Sequence, residues 1–352
     1  MTSVHIIGSG ISGLCSALAL HNAGCDVTLT TASNGPDSSC CSWWAGGMLA
    51  PYCEQESAEP LIGTLGLESM RFWQSLAKES ELDYRANGTL VVASPRDQSL
   101  LRTFGRQTEQ SQVVDQSEIV ALEADLGHFQ RGLFYADEAH IEPRLAVEVL
   151  WKRLIDSDIT LNTNQTLSND ELSSLSLQYD WQVDCRGLAA SDVLEDLRGV
   201  KGEMLHIYSE EVELHRPIRL LHPRYPLYIV PRPDHQFMVG ATMIEANRSR
   251  RATVRSVLEL LSAAYAVHPA FAEAEIVEIG VDARPAFDDN LPKLRRYGNQ
   301  IYLNGLYRHG YLAAPAMARR VVDLIVHNTF CSEVIDANYP EWQENRNATN
   351  YA

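Results

Sequence analysis

Val4-His5-Ile6-Ile7 is a short, mostly apolar run of the kind a strand buried on both faces requires. Gly8-Ser9-Gly10-Ile11-Ser12-Gly13 follows at once, and Leu14 to Ala23 then reads as a helix that Gly24 stops. Val27-Thr28-Leu29 supplies a second strand, so the chain opens with a strand, glycine turn, helix, strand unit. Apolar residues recur at helical spacing between Leu61 and Leu82 (Leu65, Met70, Phe72, Trp73, Leu76), which predicts an amphipathic helix. Gly88 to Ala93 and Leu133 to Tyr135 read as strands. A helix from Pro143 to about Ile155 follows, its proline tolerated in the first turn. Trp181 to Cys185 is a core strand ending at a turn with Gly187. Met204 to Tyr208, Leu227 to Val230 and Phe237 to Ala241 suggest an antiparallel sheet. The chain then returns to a buried strand, Gln300 to Asn304, a turn at Gly305, and a helix from about Pro315 to His327.

This order predicts an α/β protein: a doubly wound, Rossmann-like nucleotide domain interleaved with an antiparallel β-sheet domain. The nucleotide domain takes 1–84, 141–202 and 286–335, the second domain 85–140 and 203–285, and 336–352 forms a polar C-terminal tail.

Composition narrows the class. With 45% hydrophobic residues among 352, the chain can bury a sizeable interior. A formal net charge of −17 argues against nucleic acid or an anionic membrane as partner, while leaving room for a local cationic pocket. No run of about twenty apolar residues predicts a membrane span, and the N-terminus lacks the pattern of a signal peptide. The seven cysteines form no paired metal spacing, and reduced thiols in a cytoplasmic protein are the simpler reading. His140, His206, His222 and His309 are isolated and read as structural or exposed, so no metal site is expected.

The glycine turn carries the first chemistry. Gly8 permits the tight turn, Gly10 lets the backbone approach a pyrophosphate, and Gly13 lets helix and strand pack closely. The N–H groups around Ile11 and Ser12 and the positive end of the helix dipole then stabilise phosphate charge. An ordinary tight turn is the bland alternative, but the position between strand and helix favours a dinucleotide. One residue departs from the pattern. The second strand should end in Asp or Glu for the ribose hydroxyls, and here Thr31-Ala32 stands instead. The expected consequence is a cofactor partly lost on dilution; full retention through long dialysis would count against it. Downstream, Cys41-Ser42-Trp43-Trp44-Ala45-Gly46-Gly47-Met48 is rich in small residues that let backbone approach a flat cofactor.

Together these motifs resemble the D-amino-acid oxidase superfamily, and most closely the glycine oxidases of thiamine biosynthesis. The resemblance covers nearly the whole chain. Beyond the N-terminal glycines it rests on Ala45 to Leu49, His140-Ile141-Glu142-Pro143, Asp184 to Leu188, Val200-Lys201-Gly202-Glu203 and Tyr228-Ile229-Val230-Pro231-Arg232. Val239 to Thr242, Arg284-Pro285 and Tyr307 to Pro315 complete it. It implies FAD, which takes a hydride from the α-carbon of an amino acid; the imine leaves or hydrolyses, and oxygen reoxidises the flavin to give hydrogen peroxide. It also implies glycine as substrate, an assembly larger than a monomer, and transfer of product to a thiazole synthase.

Carried over residue by residue, the carboxylate-binding arginine is Arg284, the pocket tyrosine Tyr228, and a second arginine of the substrate and flavin region Arg308. Flavin-contacting backbone falls on Leu306, Tyr307, Arg308, His309, Gly310, Tyr311 and Leu312, and a further adenosine contact near Thr166. The chemistry stands without the name. A guanidinium fork fixes a carboxylate through two parallel charge-assisted bonds, worth roughly 2–3 kcal/mol in a closed pocket. The bland alternatives are a surface pair of Arg284 with Asp282, Asp288 or Asp289, core packing for Tyr228, and a backbone cap for Arg308. Two other functions compete. One is a flavin oxidase or dehydrogenase for sarcosine, D-amino acids, proline or a protein-bound amine, with Trp44, Met48, Tyr228 and Met243 as candidate pocket wall. The other is a non-catalytic nucleotide-binding or redox-sensing protein.

Overall fold

The computed structural model describes residues 1–224, 226–246 and 251–336, so all but the first residue of the expected tail lies outside the described residues. The chain divides into two compact units. The first comprises Met1–Trp43, Arg144–Gly199 and the chain from Arg284 onward; the second comprises Trp44–Pro143 and Val200–Ala283.

The first unit is built on a six-stranded sheet in the order Lys293–Tyr297, Gln300–Asn304, Trp181–Asp184, Ser3–Ile7, Asp26–Thr30, Thr160–Asn162. Five strands run parallel, and Lys293–Tyr297 adds an antiparallel edge. Val4, Ile6, Leu29, Val183 and Ile301 are buried, as apolar strands covered on both faces require. The helix Ile11–Asn22 packs against the last helix, Gly310–Ile325. That last helix begins at Gly310 rather than at the predicted Pro315, which lies inside it. Proline in a helix interior removes one backbone bond, but burial of Tyr311, Leu312, Ala313 and Ala314 carries the helix past it.

The second unit carries a nine-stranded sheet. Its path is Ile244–Glu245, Arg198–Tyr208, Gln236–Gly240, Leu227–Pro231, Ile218–Leu221, Thr89–Ala93, Arg131–Tyr135, Gln112–Asp115, with Glu275–Ala286 also paired to Arg198–Tyr208. The pairs Leu90 and Val92, Leu205 and Ile207, Ile218 and Leu220, Leu227 and Ile229, Phe237 and Val239 lie in one core. Their spacing of two residues marks a single face of the sheet, which the helix Val254–Val267 covers with Leu260, Ala264 and Val267. On the other face, Val91, Ala93 and Leu221 pack with Leu101 and Phe104 of the helix Gln98–Gln107, and Met204, Val230 and Met238 form a separate cluster.

The segment 44–84, read from sequence as part of the nucleotide domain, clusters instead with the second unit. Met48–Leu49 pairs with Ala139–Ile141, and the Glu138 carboxylate accepts the N–H groups of Tyr52 and Cys53 at 3.0 and 2.7 Å. These partners lie far along the chain, where no periodicity announces them.

Candidate functional site

The cofactor-side residues of the first unit converge on the C-terminal end of the strand Ser3–Ile7. Gly8 has φ +105°, and a Cβ there would lie 2.7 Å from the Cys185 carbonyl oxygen. A Cβ on Gly13 would lie 1.9 Å from the Gly8 oxygen. Both glycines are demanded by the protein's own packing. Gly10 is not. It caps the helix with φ −69° and ψ 174°, and a Cβ would meet only the Ser42 hydroxyl at 3.4 Å, an ordinary contact. The helix has no side-chain cap and no acid in its first turn. A helix N-terminus left approachable in this way suits an anion.

Ser42 frames this cradle. Its hydroxyl accepts the Ile11 N–H at 3.0 Å, and its carbonyl accepts the Tyr311 hydroxyl at 2.8 Å. Cys41 and Ser42 open the 3-10 turn Cys41–Trp44. A Cβ on Gly310 would lie 3.5 Å from Ile11, so the turn Tyr307–His309 and the start of the last helix stand beside the glycine loop. In that turn Tyr307 has φ +50°, and Arg308 donates from Nε to His309 Nε2 at 3.2 Å. Leu306, His309, Tyr311 and Leu312 are buried, and Arg308 is half-buried.

At the second strand's end, Thr31 Oγ1 lies 2.6 Å from Ser9 Oγ and 3.5 Å from Ser33 Oγ. A chain of neutral hydroxyls thus stands where a carboxylate would grip the ribose. The Thr31 carbonyl accepts the Gln165 N–H at 2.9 Å, which brings exposed Ala32 and Thr166 to the same edge. Beneath them His5 bonds Thr30 Oγ1 at 2.8 Å, and burial lowers its pKa to about 4, so it stays neutral in a structural role.

Arg284 is half-buried on the strand Glu275–Ala286. Of the acids that compete for it in sequence, Asp288 lies 3.9 Å from Arg198, and Asp289 pairs with Lys293 at 3.0 Å. Asp282 accepts the Ala283 N–H at 2.8 Å.

The second unit gathers Gly46, Met48 and Tyr228. Trp44, Met48, Tyr228 and Ala241 pack on the cluster of Met204, Val230 and Met238, and a Cβ on Gly46 would lie 2.7 Å from Met238. Gly47, at φ +69°, packs against the Ile141 carbonyl, 2.1 Å from where a Cβ would stand. Met243, a candidate wall residue, is 50% exposed. Arg232 donates to the Gly46 carbonyl at 2.8 Å and pairs with Glu142 at 2.6 Å, so it clamps the small-residue loop. The Tyr228 hydroxyl donates to Glu54 Oε1 at 3.3 Å. His140 lies opposite Met48 and Arg85; burial first, and then the charges of Arg232, Arg85 and Arg216, lower its pKa to about 3. Sequence reasoning missed Glu54, Arg219 and Glu138, because a lone charged residue in a polar turn or a strand looks like solvated surface until its partners are known.

Among the described residues no His, Cys, Asp and Glu group is placed to hold a metal, and all seven cysteines are thiols. No helix of the described residues is long and apolar enough to cross a membrane.

A largely parallel sheet with a glycine cradle at its first helix, in a chain that also carries a mostly antiparallel sheet, defines a dinucleotide-binding class of protein. The FAD dependent oxidoreductase (DAO) family matches residues 3–324, and the chain belongs to that family. It is therefore an FAD-dependent enzyme, and the open approach at Gly10 fits the pyrophosphate of that cofactor. The chain is 47% identical, over 89% of its length and 93% of the relative's, to a Rhizobium etli protein named for a thiamine biosynthesis oxidoreductase, ThiO. It is 27% identical to the bifunctional protein ThiO/ThiG of Synechocystis, over 92% of this chain but 52% of that longer protein. The solved structure of glycine oxidase from Geobacillus kaustophilus superposes with a TM-score of 0.78 over 94% of this chain and 96% of that one, at 21% identity.

Proposed function

We propose that the protein oxidises glycine to its imine, which hydrolyses to glyoxylate, while oxygen is reduced to hydrogen peroxide. The balanced reaction takes up glycine, oxygen and water and releases glyoxylate, ammonia and peroxide. The observation that carries the reading is the half-buried guanidinium of Arg284 in a chain whose glycine cradle suits a flavin dinucleotide. Gly8 to Gly13, Thr31, Ser42 and Leu306 to Leu312 would hold FAD, which supplies the two-electron acceptor when bound. Arg284 receives the amino-acid carboxylate through two parallel bonds and so orients the α-carbon. Tyr228, which packs with Trp44 and Met48 on one apolar cluster, would offer its ring and hydroxyl to the substrate. Arg308, half-buried in the turn Tyr307–His309, would supply positive charge to stabilise the reduced cofactor. The amine reacts in its neutral form, so these residues need provide no strong base.

The fusion of ThiO to ThiG in Synechocystis supports a further step, in which the imine is passed to a thiazole synthase. A cytoplasmic enzyme assembled from several copies fits the same reading. The test is anaerobic titration of glycine into the FAD-loaded protein, with sarcosine, D-alanine and proline as comparisons. Bleaching of the oxidised flavin band by glycine at the lowest concentration is expected, and no bleaching by glycine would overturn the proposal. Arg284→Lys replaces a fork with a point charge, and its KM for glycine is expected to rise roughly 30- to 100-fold, the equivalent of about 2–3 kcal/mol.

A further inference from the structure

On the face of the second unit's sheet that carries Tyr228, strand register sets Arg219 directly opposite that tyrosine. The Arg219 guanidinium carbon lies 4.9 Å from the Tyr228 ring centroid and 4.6 Å from that of Phe104, so the cation is held between two aromatic faces. Nη1 donates to the Cys53 carbonyl and Nη2 to Glu56, each at 3.1 Å. The residue is 4% exposed. Burial opposes its charge, but Tyr228, Glu54, Cys53 and Glu56 outweigh burial and leave the guanidinium more basic than usual.

A buried cation is a poor way to gain stability, since a well-packed apolar residue often does as well or better. Its geometry suggests a different use. One guanidinium stacks on the tyrosine ring and also bonds the turn Cys53–Glu56 that presents Glu54, the acceptor of the tyrosine hydroxyl. The ring and its hydrogen-bond partner are therefore aligned by one group. Glu138 holds the N-terminal side of the same turn through the N–H groups of Tyr52 and Cys53.

We infer that Arg219 is a positioning residue, aligning the Tyr228 hydroxyl with Glu54 so that the tyrosine meets substrate in one orientation. The inference rests on the reading of Tyr228 as a pocket residue. Lysine cannot reproduce it, because an ammonium lacks the planar face that stacks and the fork that bonds two partners.

The test uses full-length, FAD-loaded protein carrying Arg219→Met, Arg219→Lys, Tyr228→Phe and the two double substitutions. Arg219→Met is expected to raise the KM for glycine tenfold or more with kcat and FAD affinity within about twofold of the parent, a loss of about 1.4 kcal/mol of binding per tenfold. Arg219→Lys is expected to recover little of that. In the Tyr228→Phe background the Arg219 effect should largely vanish, because the aligned hydroxyl is gone. An unchanged KM, or an equal rise with and without the tyrosine hydroxyl, overturns the inference. Ultraviolet titration of Tyr228, taken as the difference from Tyr228→Phe, gives a second readout that needs no substrate. Removing the stacked cation should move that ionisation to higher pH, and an unmoved curve overturns the inference. If no amine reduces the flavin, the proposed function fails, yet the tyrosine titration still decides the role of Arg219. Should Arg219→Met not fold, Glu56→Ala removes one guanidinium bond at a partly exposed site and is read by the same two measurements.

Discussion

Gly10 has backbone angles open to any L residue, and space for a methyl group. Gly13, inside the helix, has ordinary angles but no such space, since its Cβ would overlap the Gly8 carbonyl at 1.9 Å. The two glycines of one motif thus answer to different constraints, one to a ligand and one to the fold. Gly10→Ala is expected to leave the melting temperature of the FAD-free protein unchanged or slightly raised, since alanine narrows the unfolded ensemble by about 0.4–1 kcal/mol. Its affinity for FAD, followed by flavin fluorescence quenching, should fall at least tenfold; unaltered affinity would remove Gly10 from the phosphate cradle. Gly13→Ala should not yield folded protein. The motif was legible in sequence, but the division of labour inside it was not. Thr31 is similar: the missing acid was visible, whereas its bond to Ser9 was not.

At the scale of elements, the turn Cys53–Glu56 shows how a polar segment becomes interior. Its Glu54 is 6% exposed, and the adjacent Cys53 backbone is held by Arg219 and Glu138, residues 166 and 85 positions further on. Glu138 is fully buried, and burial pushes its pKa from 4.5 up to about 7 despite the N–H bonds it accepts. The folded protein therefore keeps a proton that the unfolded chain loses in that window. Its stability contribution is complete below pH 4.5 and is lost as pH rises through about 7, with a total on the order of 3 kcal/mol. Glu138→Gln keeps an acceptor for both N–H groups and cannot ionise. Denaturant unfolding should show it more stable than the parent at pH 8 and close to it at pH 4.5; identical slopes would mean that Glu138 does not titrate there. The turn itself carried no sequence signal, because its partners lie on other strands. The last helix erred the opposite way: proline is a strong local start signal, and buried neighbours overrode it.

For the whole molecule, FAD binding and folding are linked, since a ligand that binds only the folded chain stabilises it by about 2.7 kcal/mol at a concentration one hundred times its Kd. Calorimetry should therefore show the melting temperature climbing with added FAD and much less with FMN, which lacks the adenosine that the edge at Thr31 would hold. Equal shifts would argue that this edge contributes nothing. The sequence by itself determined the nucleotide end, because a glycine loop between an apolar strand and a helix is a local pattern with a local physical cause. It also determined the α/β class and the interleaved order, because strand and helix periods are short-range. Tertiary structure alone decided which unit owns the segment after Trp43, where the last helix begins, and that Arg219, Glu54 and Glu138 form a buried network around Tyr228. Those outcomes depend on strand register and on partners far apart in the chain, which hydrophobic periodicity cannot encode.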